Sequence, residues 1–340
     1  MSLRTETVLP KRLTLVESAC TNPHRNLALE EWLLGQVACD EVILYLWQNQ
    51  HTVVIGKNQN AWKECNITTL EADGGHLARR LSGGGAVYHD LGNLNFTFLA
   101  HKAHYDIARQ LEVILQALRR LGIQAEKSGR NDVLVDGRKV SGNAFYEHGD
   151  RAYHHGTLLM QVDGEKMARY LNVSQEKLAS KGVASVKARV RNLVDVCPDL
   201  TVAALKQALI DAFADVYGGT PNRMPLEAVD QAAWQALSER YSDWRWIFGR
   251  KFRFDRSVGK RFEWGRVDVA LQIDSGTIVD AQVYSDALLP DLMDALALAL
   301  RGVRYNNGAL KEAVQQLSAE TAAAQTAKND VLDWLATIDC

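Results

Sequence analysis

Residues 79–93 run Arg79-Arg80-Leu81-Ser82-Gly83-Gly84-Gly85-Ala86-Val87-Tyr88-His89-Asp90-Leu91-Gly92-Asn93, and no other stretch carries as much chemistry. Glycine has no Cβ and tolerates positive φ, so a glycine run can press its backbone against a ligand and aim successive N–H groups at an anion. Arg79 and Arg80 add permanent positive charge beside that main chain. The combination suits the phosphate or carboxylate of a nucleotide-sized ligand. Because Ala86, Val87 and Tyr88 open a β-forming run, anion contacts are expected from loop N–H groups and from Arg79 or Arg80, not from a helix dipole. A glycine-rich hairpin with two solvated arginines would use the same residues.

Lys139 and Asp132 form the second constellation. A lysine within a strand is usually a surface residue; its functional reading is a fixed cation that offsets charge developing on an α-phosphate under attack by a carboxylate. Asp132 would bind magnesium or a ribose hydroxyl. Ser141-Gly142-Asn143-Ala144, a second run of small residues beside Lys139, lets a ligand lie close to the backbone. The other chemistries read poorly. There is no GxxxxGK[ST] loop and no GxGxxG opening a helix. Ser82 sits in no G-x-S-x-G elbow. His154 and His155 alternate across a strand and so point to opposite faces, and with His89 and His148 they read as structural or hydrogen-bonding groups rather than metal ligands.

The elements that must position these residues are mixed α/β. Apolar residues at helical spacing predict a helix over 24–35, and strands are expected at Val42–Trp47 and Thr52–Ile55. Asp106 should cap a helix whose stripe is Ile107, Leu111, Ile114, Leu115, Leu118 and Leu121, stopped at Gly122. Asp136-Gly137 is a two-residue hairpin signal that sets Val135 opposite Arg138 and Leu134 opposite Lys139. Another strand passes through Tyr153, His155, Thr157 and Leu159, with helices near 164–172, 201–217 and 226–240. After an aromatic-rich boundary around 241–252 come strands at 262–273 and 277–284 and helices near 287–301, 308–318 and 328–338.

Composition bounds the class. The chain has 340 residues, 47% hydrophobic and 24% charged, with a formal net charge of −2, so it lacks the basic footprint of a nucleic-acid binder. The five cysteines are scattered without ligand spacing, which fits reduced thiols. No apolar run approaches a membrane span and no signal-peptide core is seen, so no membrane association and a cytoplasmic location are expected.

Arg80-x-Ser82-Gly83-Gly84-Gly85-Ala86-Val87-Tyr88-His89-Asp90-x-Gly92-Asn93, then Gly129-Arg130-Asn131-Asp132, Arg138-Lys139-Val140-Ser141-Gly142 and His155-Gly156-Thr157-Leu158-Leu159, resemble the bacterial lipoate–protein ligase A family over nearly the whole chain. The resemblance implies an α/β (α+β) architecture: a biotin/lipoate ligase-like catalytic domain over 1–243, with mixed sheets packed by helices, and a small α/β accessory domain over 250–340. It implies adenylation of lipoate by ATP with Mg2+, then transfer to a lysine. The acceptors implied are lipoyl domains of 2-oxoacid dehydrogenase acyltransferase subunits and the glycine cleavage H protein. Lys139 would be the catalytic cation. Arg80, Ser82, Gly84, Gly85, Ala86, Val87, Tyr88, Asn131 and Asp132 would line the nucleotide and lipoyl-adenylate site, with Asp132 assisting magnesium. Trp47 and Val54 are candidates for the wall around the dithiolane tail. Lys181-Gly182-Val183 would correspond to a loop closing over the adenylate. Asn143 stands where a serine is common.

Two rival activities share the fold, and a sensor shares the loop. Octanoyl transfer from acyl carrier protein needs a Cys-Gly-[Ile/Leu] nucleophile where this chain has Lys181-Gly182-Val183. Biotin ligation usually carries a glycine-arginine-glycine loop, which residues 79–85 do not show. A lipoate sensor could dispense with Lys139.

Overall fold

The computed structural model of the chain describes residues 9–129, 131–172, 190–250 and 252–338. Within them, one compact unit comprises the residues up to Val54 with Cys65–Ala78 and Val87–Trp246, and a second comprises Ile55–Glu64, Arg79–Ala86 and the residues from Ile247 on. Along the chain, β1 (Arg12–Glu17) precedes α1 (Pro23–Gln36), where the Asn22 side chain accepts from the N–H groups of His24 and Arg25. β2 (Glu41–Trp47), β3 (Thr52–Ile55), the short α2 (Ala61–Glu64) and α3 (Ile67–Ala72), and β4 (His76–Arg79), β5 (Val87–His89) and β6 (Asn93–His101) follow. α4 (Ile107–Arg120) starts where the Asp106 carboxylate accepts the Arg109 N–H at 3.0 Å and stops before Gly122, whose φ is 76°. Then come β7 (Glu126–Ser128), β8 (Asp132–Val135), β9 (Arg138–His148), β10 (Arg151–Leu159), α5 (Gly164–Tyr170), α6 (Val202–Tyr217), β11 (Asn222–Arg223), α7 (Gln231–Ser242) and α8 (Trp244–Phe248).

In the first unit the described strands form a sheet in the order β11-β1-β2-β6-β10-β9-β8-β7. Its two faces differ because strand side chains alternate. Val42, Leu44, Leu46, Phe96 and Phe98 point toward the apolar stripes of α4 and α6, where Leu111, Ile114, Leu118, Leu209 and Phe213 complete a buried core. The opposite face, where α1 reaches β2, β6 and β10 by hydrogen bonds, carries Tyr45, Trp47, Thr97 and His155. β3 lies between β4 and β5 in a separate three-stranded sheet.

In the second unit β12 (Arg256–Phe262), β13 (Gly265–Asp274) and β14 (Thr277–Ser285) form an antiparallel meander, with α9 (Pro290–Ala299), α10 (Asn307–Gln315) and α11 (Ala322–Leu335) closing over Val267, Val269, Leu271, Ile278 and Ala281. Several expected boundaries move for local reasons. α9 starts at Pro290, which suits a first-turn position. α11 starts six residues earlier than the sequence reading, because Thr321 caps the Ala324 N–H and the alanine run favours helix. The expected 226–240 helix is interrupted: residues 226–228 form a 3-10 turn, and Asp230 caps α7 by accepting from Ala232 and Ala233.

Candidate active site

Lys139 lies where the hairpin signal places it. Asp136 and Gly137 both take positive φ, 48° and 72°, and Val135 pairs with Arg138 and Leu134 with Lys139. A register shift follows: Val133 pairs with Ser141 and Asp132 with Gly142, so Val140 is the extra residue of a bulge. This brings the Lys139 ammonium 2.8 Å from Asp132 Oδ1, with the two side chains 33% and 35% exposed. The ammonium sits off the carboxylate's hydrogen-bonding direction, so the contact is mainly electrostatic. The lysine chain lies over bare backbone: a Cβ on Gly142 would stand 2.8 Å from Nζ and 2.9 Å from Cε. The Lys139 carbonyl accepts the Arg191 N–H at 2.9 Å, and the Arg191 side chain pairs with Asp136, which fixes the strand from the other side. A cation held this way, with part of its surface open, can meet an incoming anion without reorganising.

The glycine loop is built differently. Arg79 is buried and donates from Nε to Ile247 O at 2.9 Å and from Nη1 to the carbonyls of Gly56, Lys57 and Gln59 at 3.1, 2.8 and 2.7 Å. Burial lowers its pKa to about 10, which leaves it charged at neutral pH. Arg80 folds back on the loop, with Nε on Ser82 Oγ at 3.1 Å and Nη2 on the carbonyls of Gly83 and Gly85 at 2.7 and 2.8 Å. The expected anion-facing role of Arg79 therefore gives way to a main-chain one, because its guanidinium already meets four carbonyls. Gly83 and Gly84 are pressed inward: a Cβ on Gly83 would stand 2.2 Å from Ala287 O, and Gly84 has φ 92° and donates its N–H to Ala287 O at 3.0 Å. Gly85 is exposed, and Ala86 and Val87 are half-buried. The Tyr88 side chain points away from that of His89 and packs against Tyr170 and His51 at centroid distances of 5.6 and 6.1 Å.

A third group escaped sequence reasoning. Glu30 is 2% exposed; its Oε1 accepts from Thr97 Oγ1 at 2.7 Å and lies 2.8 Å from His155 Nδ1, and Trp47 Nε1 donates to Thr97 Oγ1 at 3.1 Å. Asn26 extends the network: its Oδ1 accepts from Ser18 Oγ and Tyr45 Oη, and its Nδ2 donates to Asn49 Oδ1. Asn49 in turn lies 3.2 Å from His89 Nδ1. The available signal was the alternation Asn93-Leu94-Asn95-Phe96-Thr97-Phe98, in which the polar set is buried as fully as the apolar one. The Lys181-Gly182-Val183 segment and Arg130 lie outside the described residues.

These features define a class. A family model described as the lipoyl protein ligase A/B catalytic domain matches residues 22–214, and one described as the bacterial lipoate protein ligase C-terminus matches 251–335. The chain belongs to the lipoate–protein ligase A family and is an enzyme of the lipoate ligase class. It is 42% identical to the lipoate-protein ligase A of Psychrobacter cryohalolentis over 95% of this chain and 98% of that protein. Among solved structures it is similar to P. falciparum LipL1 in complex with lipoate, with a TM-score of 0.85 and 29% identity over 96% of this chain and 100% of that one. A lipoate-protein ligase A bound with ATP matches with a TM-score of 0.61 and 26% identity over 70% of this chain and 98% of that one. The bipartite lipoate protein ligase of Thermoplasma acidophilum, studied with its E2 lipoyl domain, matches with a TM-score of 0.63 and 28% identity, covering 73% and 100% of the two chains.

Proposed function

We propose that the chain couples lipoate to protein in two steps driven by ATP. A lipoate carboxylate oxygen attacks the α-phosphorus, the bond to the bridging oxygen breaks, and pyrophosphate leaves. The neutral ε-amine of an acceptor lysine then attacks the carbonyl carbon of lipoyl-AMP, the amide forms with loss of a proton, and AMP leaves. Adenylation is needed because a bare carboxylate has no acceptable leaving group. The difficulty of the first step is that two anions must meet. Lys139 carries this reading: its ammonium is paired with Asp132 and its chain crosses the bare Gly142 backbone while a third of the side chain stays open. Arg80 and Ser82 shape the loop whose Gly84, Gly85, Ala86, Val87 and Tyr88 main chain would receive the nucleotide. Asn131 and Asp132 would face the adenylate. Trp47, 3% exposed, and Val54 would wall the lipoyl tail.

Magnesium fits the donors present as a companion of the triphosphate. Asp132 supplies one part-exposed carboxylate beside an ammonium, and among the described residues no three His, Cys, Asp or Glu side chains converge. Mg2+ commonly uses one or two carboxylates together with substrate phosphates. Asp132 would hold it, and the ion would offset phosphate charge.

The acceptors we propose are lipoyl domains of 2-oxoacid dehydrogenase acyltransferase subunits and the glycine cleavage H protein, with scavenged lipoate as the acyl source; the T. acidophilum relative studied with an E2 lipoyl domain supports the first. A thioester relay from acyl carrier protein is disfavoured. Burial pushes the Cys65 thiol up to about 12, far from a usable thiolate. The test is mass spectrometry of an apo lipoyl domain incubated with the protein, ATP, magnesium and lipoate. A lipoyl increment on one lysine, dependent on ATP, is expected; efficient ATP-free transfer from an octanoylated carrier protein would overturn the reading.

A further inference from the structure

A buried polar chain runs beside the Lys139 site. Asn143, 4% exposed, makes three hydrogen bonds with Asn131: its backbone N–H and its Nδ2 both donate to Asn131 O at 2.9 Å, and its carbonyl accepts from Asn131 Nδ2 at 2.8 Å. Since Asn131 O can only accept, the Asn143 NH2 must face it, and Oδ1 must face the other way. Oδ1 lies 2.8 Å from Nε2 of His154, which is fully buried. Burial, with help from neighbouring His155, lowers the His154 pKa to about 3, so the ring is neutral and has a single N–H. That proton sits on Nε2, because Asn143 Oδ1 can only accept. Nδ1 lies 3.2 Å from the side-chain oxygen of fully buried Gln110, whose own Nε2 has no partner among the described residues. With the imidazole proton on Nε2, the Gln110 amide must therefore be turned to bring its NH2 onto Nδ1 as donor. Gly156 leaves room for the arrangement: a Cβ there would stand 2.6 Å from Asn143 Oδ1.

We infer that Asn143 is a positioning residue for the adenylation step, and this rests on the reading of Lys139 and Asp132 given above. The β8–β9 pairing is interrupted by the bulge just where Asp132 must meet Lys139. Asn143 restores rigidity there by clamping Asn131, the residue next to Asp132, to β9. His154 and Gln110 lock the Asn143 rotamer from behind. A serine at this position could not span from Asn131 O to the imidazole.

The test compares N143S with wild type in lipoate-dependent ATP–pyrophosphate exchange. A loss of geometry near the reacting atoms should lower kcat about 10- to 100-fold while leaving KM for lipoate within about twofold. Combined with D132N, the double variant should be no slower than the worse single variant, since Asn143 acts through Asp132. An unaffected kcat, or losses that multiply, would overturn the inference. Should N143S fold poorly, N143D keeps the side-chain outline but replaces the NH2 donor with a buried carboxylate oxygen that repels Asn131 O, so the clamp opens; it should show the same kcat-confined defect. Two NMR readouts need no activity. The His154 imidazole nitrogens should report an Nε2–H tautomer, and amide exchange at Asp132 and Val133 should quicken in N143S while the melting temperature holds. An Nδ1–H tautomer, or unchanged exchange there, would contradict the clamp. A wild-type protein without lipoate-dependent exchange would sink the ligase reading and leave these signals to decide the clamp alone.

Discussion

Arg79 in the second unit and Lys139 in the first are both cations laid against main chain, and they use their charge in opposite ways. Arg79 is buried with four carbonyls around its guanidinium, so its positive charge is consumed in holding the residue 56–59 turn and Ile247 in place. Lys139 is a third exposed, is paired with a single carboxylate, and crosses a glycine. The sequence alone, with two arginines beside three glycines, suggested the reverse weighting. Charge next to a glycine loop becomes chemistry only where it is left partly unsatisfied. A guanidinium with its fork full of carbonyls is architecture.

The comparison is broken most directly by removing the buried partner. Arg79→Met should cost roughly 3 kcal/mol or more of folding stability, because several buried carbonyls lose their donor together. Denaturant unfolding measures this, and a loss below about 1 kcal/mol would mean the carbonyls find water instead. Gly142→Ala sharpens the other half. The new Cβ meets the far end of the flexible lysine chain, at 2.8 Å from Nζ, so the fold should tolerate it. Exchange activity should nevertheless fall about tenfold as the ammonium is displaced; equal activity would show that the crossing over Gly142 does not matter.

The smallest effect concerns pH. Burial lowers the folded pKa of His154 to about 3, from about 6.5 for a solvated imidazole, so between those values the unfolded chain binds a proton that the native one refuses. Stability is therefore lost as pH falls from about 6.5 toward 3. The slope should be shallower by up to one proton in His154→Phe, read from urea unfolding at pH 7 and pH 5. An unchanged slope would place that proton elsewhere.

Local signals made much of this molecule legible. Asp106 and Gly122 marked the ends of α4, and Asp136-Gly137 set the register that brings Lys139 opposite Leu134. The bulge at Val140 was not legible, since one extra residue leaves no trace in a β-forming run. β12 was missed because its residues are mostly exposed and polar, so no apolar alternation marks it. The Glu30–Thr97–His155 network was hidden for a related reason. Alternating polar residues in a strand normally face water, and only the placement of α1 over that face turns them inward. Arg79 illustrates the deepest limit: which carbonyls surround a guanidinium is a property of tertiary contacts, and residue type carries no hint of it.

The most direct measurement pairs lipoate-dependent ATP–pyrophosphate exchange with thermal melting for Lys139→Ala. Exchange should fall about 100-fold or more, the scale for deleting one preorganised electrostatic group. Melting should change by no more than about 1 kcal/mol in stability terms, since the ion pair with Asp132 is partly solvated. A variant that exchanges normally, or that loses activity only in step with unfolding, would contradict the assignment of Lys139 as the cation that lets carboxylate and phosphate meet.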